Sequence, residues 1–349
     1  PEPFMKNRRI YHPRGKVLGG SSSINGMIWI RGNPMDYKKW ANNKGLENWD
    51  YAHCLPYFKR LEQRLIGPDD FHGDNGPLYL TTPKCDNPLF DAFFKSVQEA
   101  GYPFTSDVNG YQQEGFGKFD QTIFRGRRYN AARAYIHPIR HRQNLTVKTK
   151  TLVTKIIFEG KKAIGVEIKK GSGIERIYAN EIISCGGSIN SPQLLQLSGI
   201  GNADHLSKLG ITIVYNLPGV GQNLRDHPLI TLDLVPKEGV VLAGRTPQTP
   251  TGLRYTAEGS ATRNDMLVFL GSMAQEGEGD PVRGSSVYGS TGMYIHILLN
   301  AAKSAGELNL TSADPAARPR HLTATTISAS KATSSSPSFQ CTFRSPRNY

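Results

Sequence analysis

The sequence predicts a mixed α/β fold, because segments with helical spacing alternate with short strands and glycine-rich turns. From residue 144 onward, three segments alternate apolar and polar side chains and are followed by turns at Glu159-Gly160 and Gly171–Gly173, a pattern typical of an antiparallel β-meander. A fourth segment runs directly into a pair of glycines and then a helix. These predicted strands are Leu145–Lys150, Leu152–Phe158, Ala163–Lys169 and Glu181–Cys185.

The first half of the chain is predicted to contain helices and a short strand. A turn-rich segment, Gly67–Pro83, ends in an alternating strand at Leu78–Thr82. The last of the predicted helices is followed by Gly101, a residue type that often ends helices. Apolar spacing places these helices at Asp36–Trp40, Tyr51–Glu62 and Pro88–Ala100.

The glycine pair Gly186-Gly187 is followed by a helix with clear start and stop residues. We expect Ser191 to be its N-cap, Pro192 its first residue and Gly199 its end. A strand, a glycine turn and a capped helix present backbone N–H groups and a helix dipole to a phosphate. An ordinary connection between strand and helix has the same sequence pattern, so both interpretations stay open here.

Length and composition exclude several classes of protein. The 349 residues, 38% of them hydrophobic, suffice for one large domain or two interleaved ones. No run of about 18 apolar residues is present, so no transmembrane segment is predicted. The net charge of +13 is spread along the chain without a nucleic-acid-binding motif. We therefore expect a solvated basic surface and no nucleic-acid partner.

The four cysteines lie far apart and form no CxxC pair, which argues against a zinc site and against a disulfide framework. We expect no metal and a cytoplasmic location; peripheral association with the inner membrane is left open. The final segment, residues 316–349, has no acidic residue and is rich in Ser and Thr, so we expect it to be disordered. A frame-shifted end would have the same composition.

Another glycine-rich segment, Arg14–Gly26, lies earlier in the chain, is the first of the two, and reads RGKVLGGSSSING. A double glycine lets the backbone approach a ligand closely, and hydroxyls with exposed N–H groups can bind anionic oxygens. The segment lacks the Gly-Lys-Ser/Thr ending of a phosphate-binding Walker A loop and is not GxGxxG.

The two glycine-rich segments, Arg14–Gly26 and Gly187–Gly201, resemble the two signature patterns of the glucose-methanol-choline (GMC) oxidoreductases, in the same order. Asn216–His227 resembles the part of that family after the second signature, and Gly306–Pro315 a late strand of its substrate domain. Among family members the choline dehydrogenases are most similar, closely over residues 1–230 and loosely over 231–315. Gly244–Met266 is more similar to other bacterial dehydrogenases of the family.

The resemblance implies a doubly wound FAD-binding domain with a β-meander, interleaved with a substrate domain built on an antiparallel sheet. The family's domain begins with a strand, a GxGxxG turn and a helix. This chain contains no such motif, so we expect a partial chain with an incomplete FAD-binding domain. The implied segments are FAD-binding at 1–50 and 144–227, substrate or cap region at 51–143, partial substrate domain at 228–315, and a tail at 316–349.

The cofactor implied by the resemblance is FAD, bound non-covalently, because Ile24 occupies the position where some relatives carry the histidine that bonds to it. The first signature would lie along the pyrophosphate and the flavin ring, the Val153 backbone would meet the adenine, and the Gly186-Gly187 turn would lie beside the adenosine half. The implied cofactor residues are Arg14, Gly15, Val17, Leu18, Gly19, Gly20, Ser21, Ser22, Asn25, Gly26, Met27, Val153, Gly186, Gly187 and Ser191.

The implied reaction is oxidation of a primary alcohol to an aldehyde by hydride transfer to flavin N5, with a histidine as general base and an acceptor other than oxygen. Choline, oxidised towards glycine betaine, is the first expected substrate. None of the nine histidines occupies the family's catalytic context, so no catalytic residue is assigned. We expect His227 and His296 to be structural. A catalytically inactive remnant and a dehydrogenase for another alcohol are the alternatives.

Overall fold

A computed structural model describes residues 12–85, 88–234, 251–272 and 293–322. The described residues form two compact units. One contains the described parts of Ile10–Ile183 and Asp226–Lys303, and the other contains Ser184–Arg225 with the described part of Ser304–Tyr349. The helices are α1 Pro34–Ala41, α2 Tyr51–Leu61, α3 Pro88–Glu99, α4 Gly187–Leu197 and α5 Ala203–Lys208.

Among the described residues, ten strands of the larger unit precede Ser184, and the first of them begins shortly after the first glycine-rich segment. They are β1 Ile28–Trp29, β2 Glu62–Arg64, β3 Leu78–Leu80, β4 Gly115–Lys118, β5 Asp120–Gln121, β6 Ile123–Phe124, β7 Arg127–Arg128, β8 Leu152–Glu159, β9 Lys162–Lys170 and β10 Gly173–Tyr178. The remaining strands along the chain are β11 Ile200–Gly201, β12 Tyr215–Asn216, β13 Gln222–Leu224, β14 Leu229–Leu234, β15 Thr251–Tyr255, β16 Met266–Ser272, β17 Met293–Leu299, β18 Gly306–Asn309 and β19 Arg320–Leu322.

A five-stranded antiparallel sheet, in the order β14-β17-β16-β15-β4, is the centre of the larger unit. Helix α3 covers one face of this sheet, because its Phe90, Phe93 and Val97 are buried against Leu253 and Leu270. On the opposite face, Leu267 and Phe269 of β16 form a buried cluster with Val108 and Phe119, and Ile28 and Ile30 pack against this cluster. The residues that directly follow the first glycine-rich segment are therefore packed against this sheet through Ile28 and Ile30.

Local capping explains where the first helices begin. Pro34 opens α1, and the Asn33 side chain accepts a hydrogen bond from the Met35 N–H while Asp36 accepts one from the Asn33 N–H, which completes a capping box. Asp50 caps α2 by accepting from the His53 N–H. These caps satisfy N–H groups that have no partner inside the helix.

The β-meander of the larger unit is the antiparallel sheet β10-β9-β8. In the smaller unit, β13, β18 and β19 form another antiparallel sheet. The buried Gln196 of α4 ties this unit together, since its side chain donates to the Leu308 carbonyl at 2.9 Å and accepts from the Leu310 N–H at 3.0 Å. None of the helices among the described residues is both long and apolar enough to cross a membrane.

The predicted mixed class, the helices of the first half and the meander turns are confirmed, and three details are wrong. Leu145–Lys150 and Glu181–Cys185 form no strand, since the meander runs from β8 to β10. Gly306–Pro315 contains β18, which pairs with β13 and β19, and its place in a substrate domain stays a prediction. The predicted disordered tail begins too early, because Arg320–Leu322 pairs with β18 as β19; residues 323–349 lie outside the described residues. The third wrong detail is the start of α4, which begins at Gly187 and not at Pro192.

Candidate functional site

The first glycine-rich segment folds into a tight loop that leads into β1. Gly19 and Gly20 have φ angles of 91° and 55°, a left-handed conformation that favours glycine. The Gly20 N–H donates to the Val17 carbonyl at 2.9 Å, and a single 3-10 turn follows from Gly20 to Ser23. A Cβ on Gly15 would overlap the carbonyl oxygen of Gly20, so the loop closes on itself only with glycine at position 15.

The serine hydroxyls of this loop form bonds within the protein. Ser22 Oγ donates to the Gly19 carbonyl at 2.5 Å and accepts from the Ala131 N–H at 2.9 Å. Ser23 Oγ donates to the Leu18 carbonyl at 3.0 Å. Ser21 Oγ accepts from the Gly15 N–H at 3.3 Å, which leaves its own hydrogen free for an external acceptor. The hydroxyls at 22 and 23 therefore shape the loop.

Arg128 fixes the far end of the loop. Its guanidinium donates to the Asn25 carbonyl at 2.6 Å and to the Asn25 side-chain oxygen at 2.7 Å. The same side-chain oxygen accepts from the Met27 N–H, and Met27 takes the left-handed conformation with φ 63°. Burial lowers the pKa of Arg128, but the guanidinium stays charged. Asn25 and Met27 are thus held in position, whereas Gly26 between them is exposed.

The loop fits a large cofactor that carries both phosphates and an apolar ring. A Cβ added to Gly20 or Gly26 would meet no atom within 4 Å, so a ligand has access to the backbone there. The N–H groups of Gly19 and Gly26 donate to no acceptor in the described part of the chain. Large apolar side chains flank this backbone in exposed positions, with Val17, Leu18 and Ile24 being 60%, 45% and 48% exposed. Single exposed apolar residues are common, but such a group beside an open glycine backbone is typical of a ligand site.

The remaining predicted cofactor residues lie in two other places. Val153 is in β8 of the meander, pairs with Ile168 of β9, and is 37% exposed. Gly186, Gly187 and Ser191 lie together at the start of α4, in the smaller unit. The prediction that Ser191 is the N-cap is wrong: the helix begins at Gly187, Gly186 is the N-cap, and Ser191 is in the second turn. Gly187, with φ 79°, allows this earlier start, and Pro192 costs α4 one internal hydrogen bond.

A buried ionic cluster that contacts Trp29 and Arg31, just after the loop, was not predicted from the sequence. Glu62 Oε2 and Asp107 Oδ2 lie 2.9 Å and 2.8 Å from the two ring nitrogens of His72. The other oxygen of Glu62 accepts from Trp29 Nε1 at 2.7 Å and from the Arg31 guanidinium. The side chains of Glu62 and His72 are fully buried. The alternation in β2, which buries residues 62 and 64 on one side, is the only local signal for it.

Arg64 completes the cluster and bears on whether a metal ion could bind there. Asp69, His72 and Asp107 place one ligand atom each within 4.8 Å of one another. However, Arg64 Nη1 lies 2.9 Å from Asp69 Oδ2, and its Nε lies 2.8 Å from Asp120 Oδ2. The guanidinium therefore already supplies positive charge to this group of carboxylates, and we assign no metal site.

The charges in the cluster shift the pKa values of its members. Burial alone would lower the pKa of His72, but its bonds to Asp107 and Glu62 raise it to about 9. Burial would raise the pKa of Glu62, and the His72 bond and the Arg31 charge outweigh this and lower it. The pKa of Asp107 is lowered for the same reasons, by His72 and by the Asn109 N–H. All three are thus charged at neutral pH.

The two histidines considered at the sequence level lie in different environments. His296 is buried in β17 between Tyr294 and Phe269, with ring centroids 4.3 Å and 5.0 Å away, and its Nδ1 lies 2.9 Å from Thr231 Oγ1. His227 is exposed, and its N–H donates to the Asp226 side chain. Neither position suggests a general base, and no catalytic residue is assigned.

Comparison with known proteins gives the same family as the two glycine-rich segments. The family model described as GMC oxidoreductase matches residues 3–229. An oxygen-dependent choline dehydrogenase from Staphylococcus saprophyticus is 56% identical over 242 residues, which are 69% of this chain and 43% of that protein. One from Staphylococcus xylosus is 58% identical over 229 residues, 65% of this chain and 41% of that protein. The chain thus spans about two fifths of the length of these curated relatives.

Solved structures show the same fold. Pyridoxine 4-oxidase from Mesorbium loti matches 92% of this chain with a TM-score of 0.79 and 26% identity, over 63% of its own length. A fungal aryl-alcohol oxidase matches 92% of this chain and 68% of its own with a TM-score of 0.74; at 20% identity it supports the fold alone. With a family match over well more than half of its residues, the chain belongs to the GMC oxidoreductases.

Proposed function

We propose that this chain contributes flavin-binding and substrate-domain residues to an FAD-dependent alcohol dehydrogenase that oxidises a primary alcohol to the aldehyde. The observation that carries the proposal is the loop Arg14–Met27, whose left-handed glycines and free N–H groups leave backbone open to a phosphate-containing cofactor. FAD bound there would accept the hydride from the alcohol carbon. The chain's own part is to hold the cofactor: Arg128 fixes Asn25, and the hydroxyls of Ser22 and Ser23 fix the carbonyls of Gly19 and Leu18.

Choline is the proposed substrate, because the curated relatives at 56% and 58% identity are named choline dehydrogenases. We propose an acceptor other than oxygen, although those relatives are named oxygen-dependent. The test measures choline oxidation by the whole protein, once with an artificial dye and once with oxygen alone, beside simple primary alcohols. Faster turnover of a simple alcohol would overturn choline as substrate. If choline is oxidised as fast with oxygen alone as with the dye, the proposal of an acceptor other than oxygen is overturned.

Non-covalent attachment of FAD is proposed because position 24 is isoleucine, whose side chain forms no bond to a flavin. Acid precipitation of the flavin-loaded protein should release all of the yellow colour into the supernatant. Colour that stays with the precipitated protein would show a covalent bond. A cytoplasmic location is also proposed, since Cys54 and Cys185 form no disulfide in the described part of the chain. No described feature supports association with a membrane surface.

A matched pair of variants tests the loop itself. Gly20 and Gly259 both have positive φ, 55° and 73°, and a Cβ on either would meet nothing within 4 Å. Gly20→Ala and Gly259→Ala therefore carry similar backbone strain, and they differ in whether the new methyl lies on the proposed cofactor surface. We expect Gly20→Ala to weaken FAD binding at least tenfold, and Gly259→Ala to leave it unchanged, by fluorescence titration. Equal affinities of the two variants would refute the loop as the flavin site, and lack of FAD binding by the whole protein would favour the inactive remnant.

A further inference from the structure

The residues directly after the loop are held by one buried carboxylate. Trp29 Nε1 donates to Glu62 Oε1 at 2.7 Å, and the Arg31 guanidinium bonds to the same oxygen. Asn109 supports the same backbone, since it donates to the Trp29 carbonyl at 2.9 Å and accepts from the Arg31 N–H at 2.8 Å. The orientation of the Glu62 carboxylate therefore influences where the chain leaves the loop.

The other oxygen of Glu62 is held by His72, at 2.9 Å, and by the Gly73 N–H, at 3.2 Å. Both ring nitrogens of His72 lie within 2.9 Å of carboxylate oxygens, one from Glu62 and one from Asp107. An ionised carboxylate only accepts hydrogen bonds, and a neutral imidazole donates from only one nitrogen. Both contacts are therefore satisfied only by the imidazolium, and the side chain is 0% exposed to water that could replace a lost bond.

Charges on several neighbouring elements face this imidazolium. Arg31 lies beyond Glu62, and Arg64 Nη2 lies 3.7 Å from the Asp107 oxygen that His72 contacts. Asp69 accepts from the backbone N–H of His72, and Asp120 of β5 pairs with Arg64. Four carboxylates thus face two guanidiniums and the imidazolium, so the cluster keeps a negative excess that favours the proton on His72.

We propose that the His72 imidazolium is a positioning residue for the loop Arg14–Met27. By bonding to Glu62 and Asp107 at once, it fixes the carboxylate that holds Trp29 and Arg31, and its deprotonation weakens that hold. On loss of the proton, one ring nitrogen has a lone pair facing a carboxylate lone pair, so one of the two bonds breaks. The expected effect on FAD affinity rests on the proposed function, whereas the hydrogen bonds that connect His72 to Trp29 through Glu62 do not.

Trp29 is a reporter inside the cluster. The chain has three tryptophans, and Trp40 and Trp49 are both about half exposed. With Trp40→Phe and Trp49→Phe in the full chain, the remaining emission comes from an indole bonded to Glu62. We expect this emission to change between pH 7 and 10.5 with one midpoint near pH 9, while far-ultraviolet circular dichroism stays constant. A flat emission profile over this range would overturn the proposal.

Variants made in the Trp40→Phe, Trp49→Phe chain show which group causes the pH-dependent change in Trp29 emission. His72→Gln, which does not titrate, should remove the transition, and His53→Gln, at an exposed histidine paired with Asp50, should leave it unchanged. Persistence of the midpoint in His72→Gln overturns the proposal. If that variant does not fold, Asp107→Asn carries the test: removing one carboxylate should move the midpoint at least one pH unit lower, and an unmoved midpoint overturns the proposal.

FAD affinity connects the cluster to the loop. In the whole protein we expect the FAD dissociation constant to rise at least threefold from pH 7.5 to 9.5, and to change by less than that in His72→Gln. An equal rise of the dissociation constant in both proteins would show that FAD affinity does not depend on the proton of His72, and would overturn the positioning role. If FAD binds at neither pH, the proposed function fails, and the Trp29 titration still decides whether His72 controls Glu62.

Discussion

At the scale of single residues, Glu62 is the carboxylate on which Trp29, Arg31 and His72 converge. Each partner is a donor, so both oxygens of the carboxylate are satisfied although the side chain is 0% exposed. Removing a charge from a buried, fully bonded group leaves its partners uncompensated, which is far more costly than removing an exposed one.

We expect Glu62→Gln to lower the free energy of unfolding by about 3 kcal/mol, because it leaves the buried Arg31 and His72 charges without their partner. The matched control is Glu175→Gln, which removes an exposed partner of Lys148 and should cost less than about 1 kcal/mol. Urea unfolding of both variants measures the difference. Similar losses in the two would show that the cluster is not a stabilising unit.

The raised pKa of His72 also predicts how stability depends on pH. A group whose folded pKa is raised stabilises the fold fully below its unfolded pKa of 6.5, and this contribution is lost as the pH rises through about 9. The shift corresponds to stabilisation on the order of 3 kcal/mol. We expect the free energy of unfolding to fall between pH 6.5 and 9.5 in the native sequence and much less in His72→Gln. An equal fall of the free energy of unfolding in both proteins would contradict the raised pKa of His72.

At the scale of elements, backbone close approach decides the shape of the first loop. The carbonyl of Gly20 occupies the space where a Cβ of residue 15 would lie, whereas residue 26 faces open space. The shape of the loop therefore depends on the missing side chain at Gly15 as well as on the hydrogen bonds of Ser22 and Asn25.

Gly15→Ala should accordingly open the loop, because the new Cβ overlaps backbone that cannot move aside without breaking the turn. Gly26→Ala is the control, since its Cβ would meet no atom. We expect limited proteolysis to cut Gly15→Ala near Lys16 faster than the native chain and Gly26→Ala at the native rate. Equal rates in all three proteins would mean that the loop adapts to the methyl group.

At the scale of the whole molecule, the strength of cofactor binding depends on how many segments meet the flavin. The sequence contains no GxGxxG motif after a strand, the motif that grips the pyrophosphate in doubly wound folds. We expect this chain alone to bind FAD at least tenfold more weakly than a protein of the relatives' full length, by absorption of the retained flavin. Stoichiometric yellow colour in the purified chain would disprove this.

Local patterns in the sequence were sufficient for α1, α2, α3 and the turns of the meander. Each of these depends on near neighbours: the capping box at Asn33, the apolar spacing of α3 and the glycines between β8, β9 and β10. The start of α4 was misplaced, because Ser191-Pro192 has the pattern of a helix start and Gly187 supplies an earlier one. The family, too, was predicted from two ordered segments and confirmed by the match over residues 3–229.

Only the tertiary structure decided which polar groups meet. Glu62 binds partners 31 residues before it and 10 residues after it, and Asp107 lies 35 residues beyond His72. No local spacing encodes such pairs, because they depend on how β1, β2 and the loops between strands are brought together. The same holds for the serines of the first loop. The sequence by itself determined the family and the elements that depend on local patterns, and the packing determined that Ser22 and Ser23 shape the loop and that His72 is a buried cation.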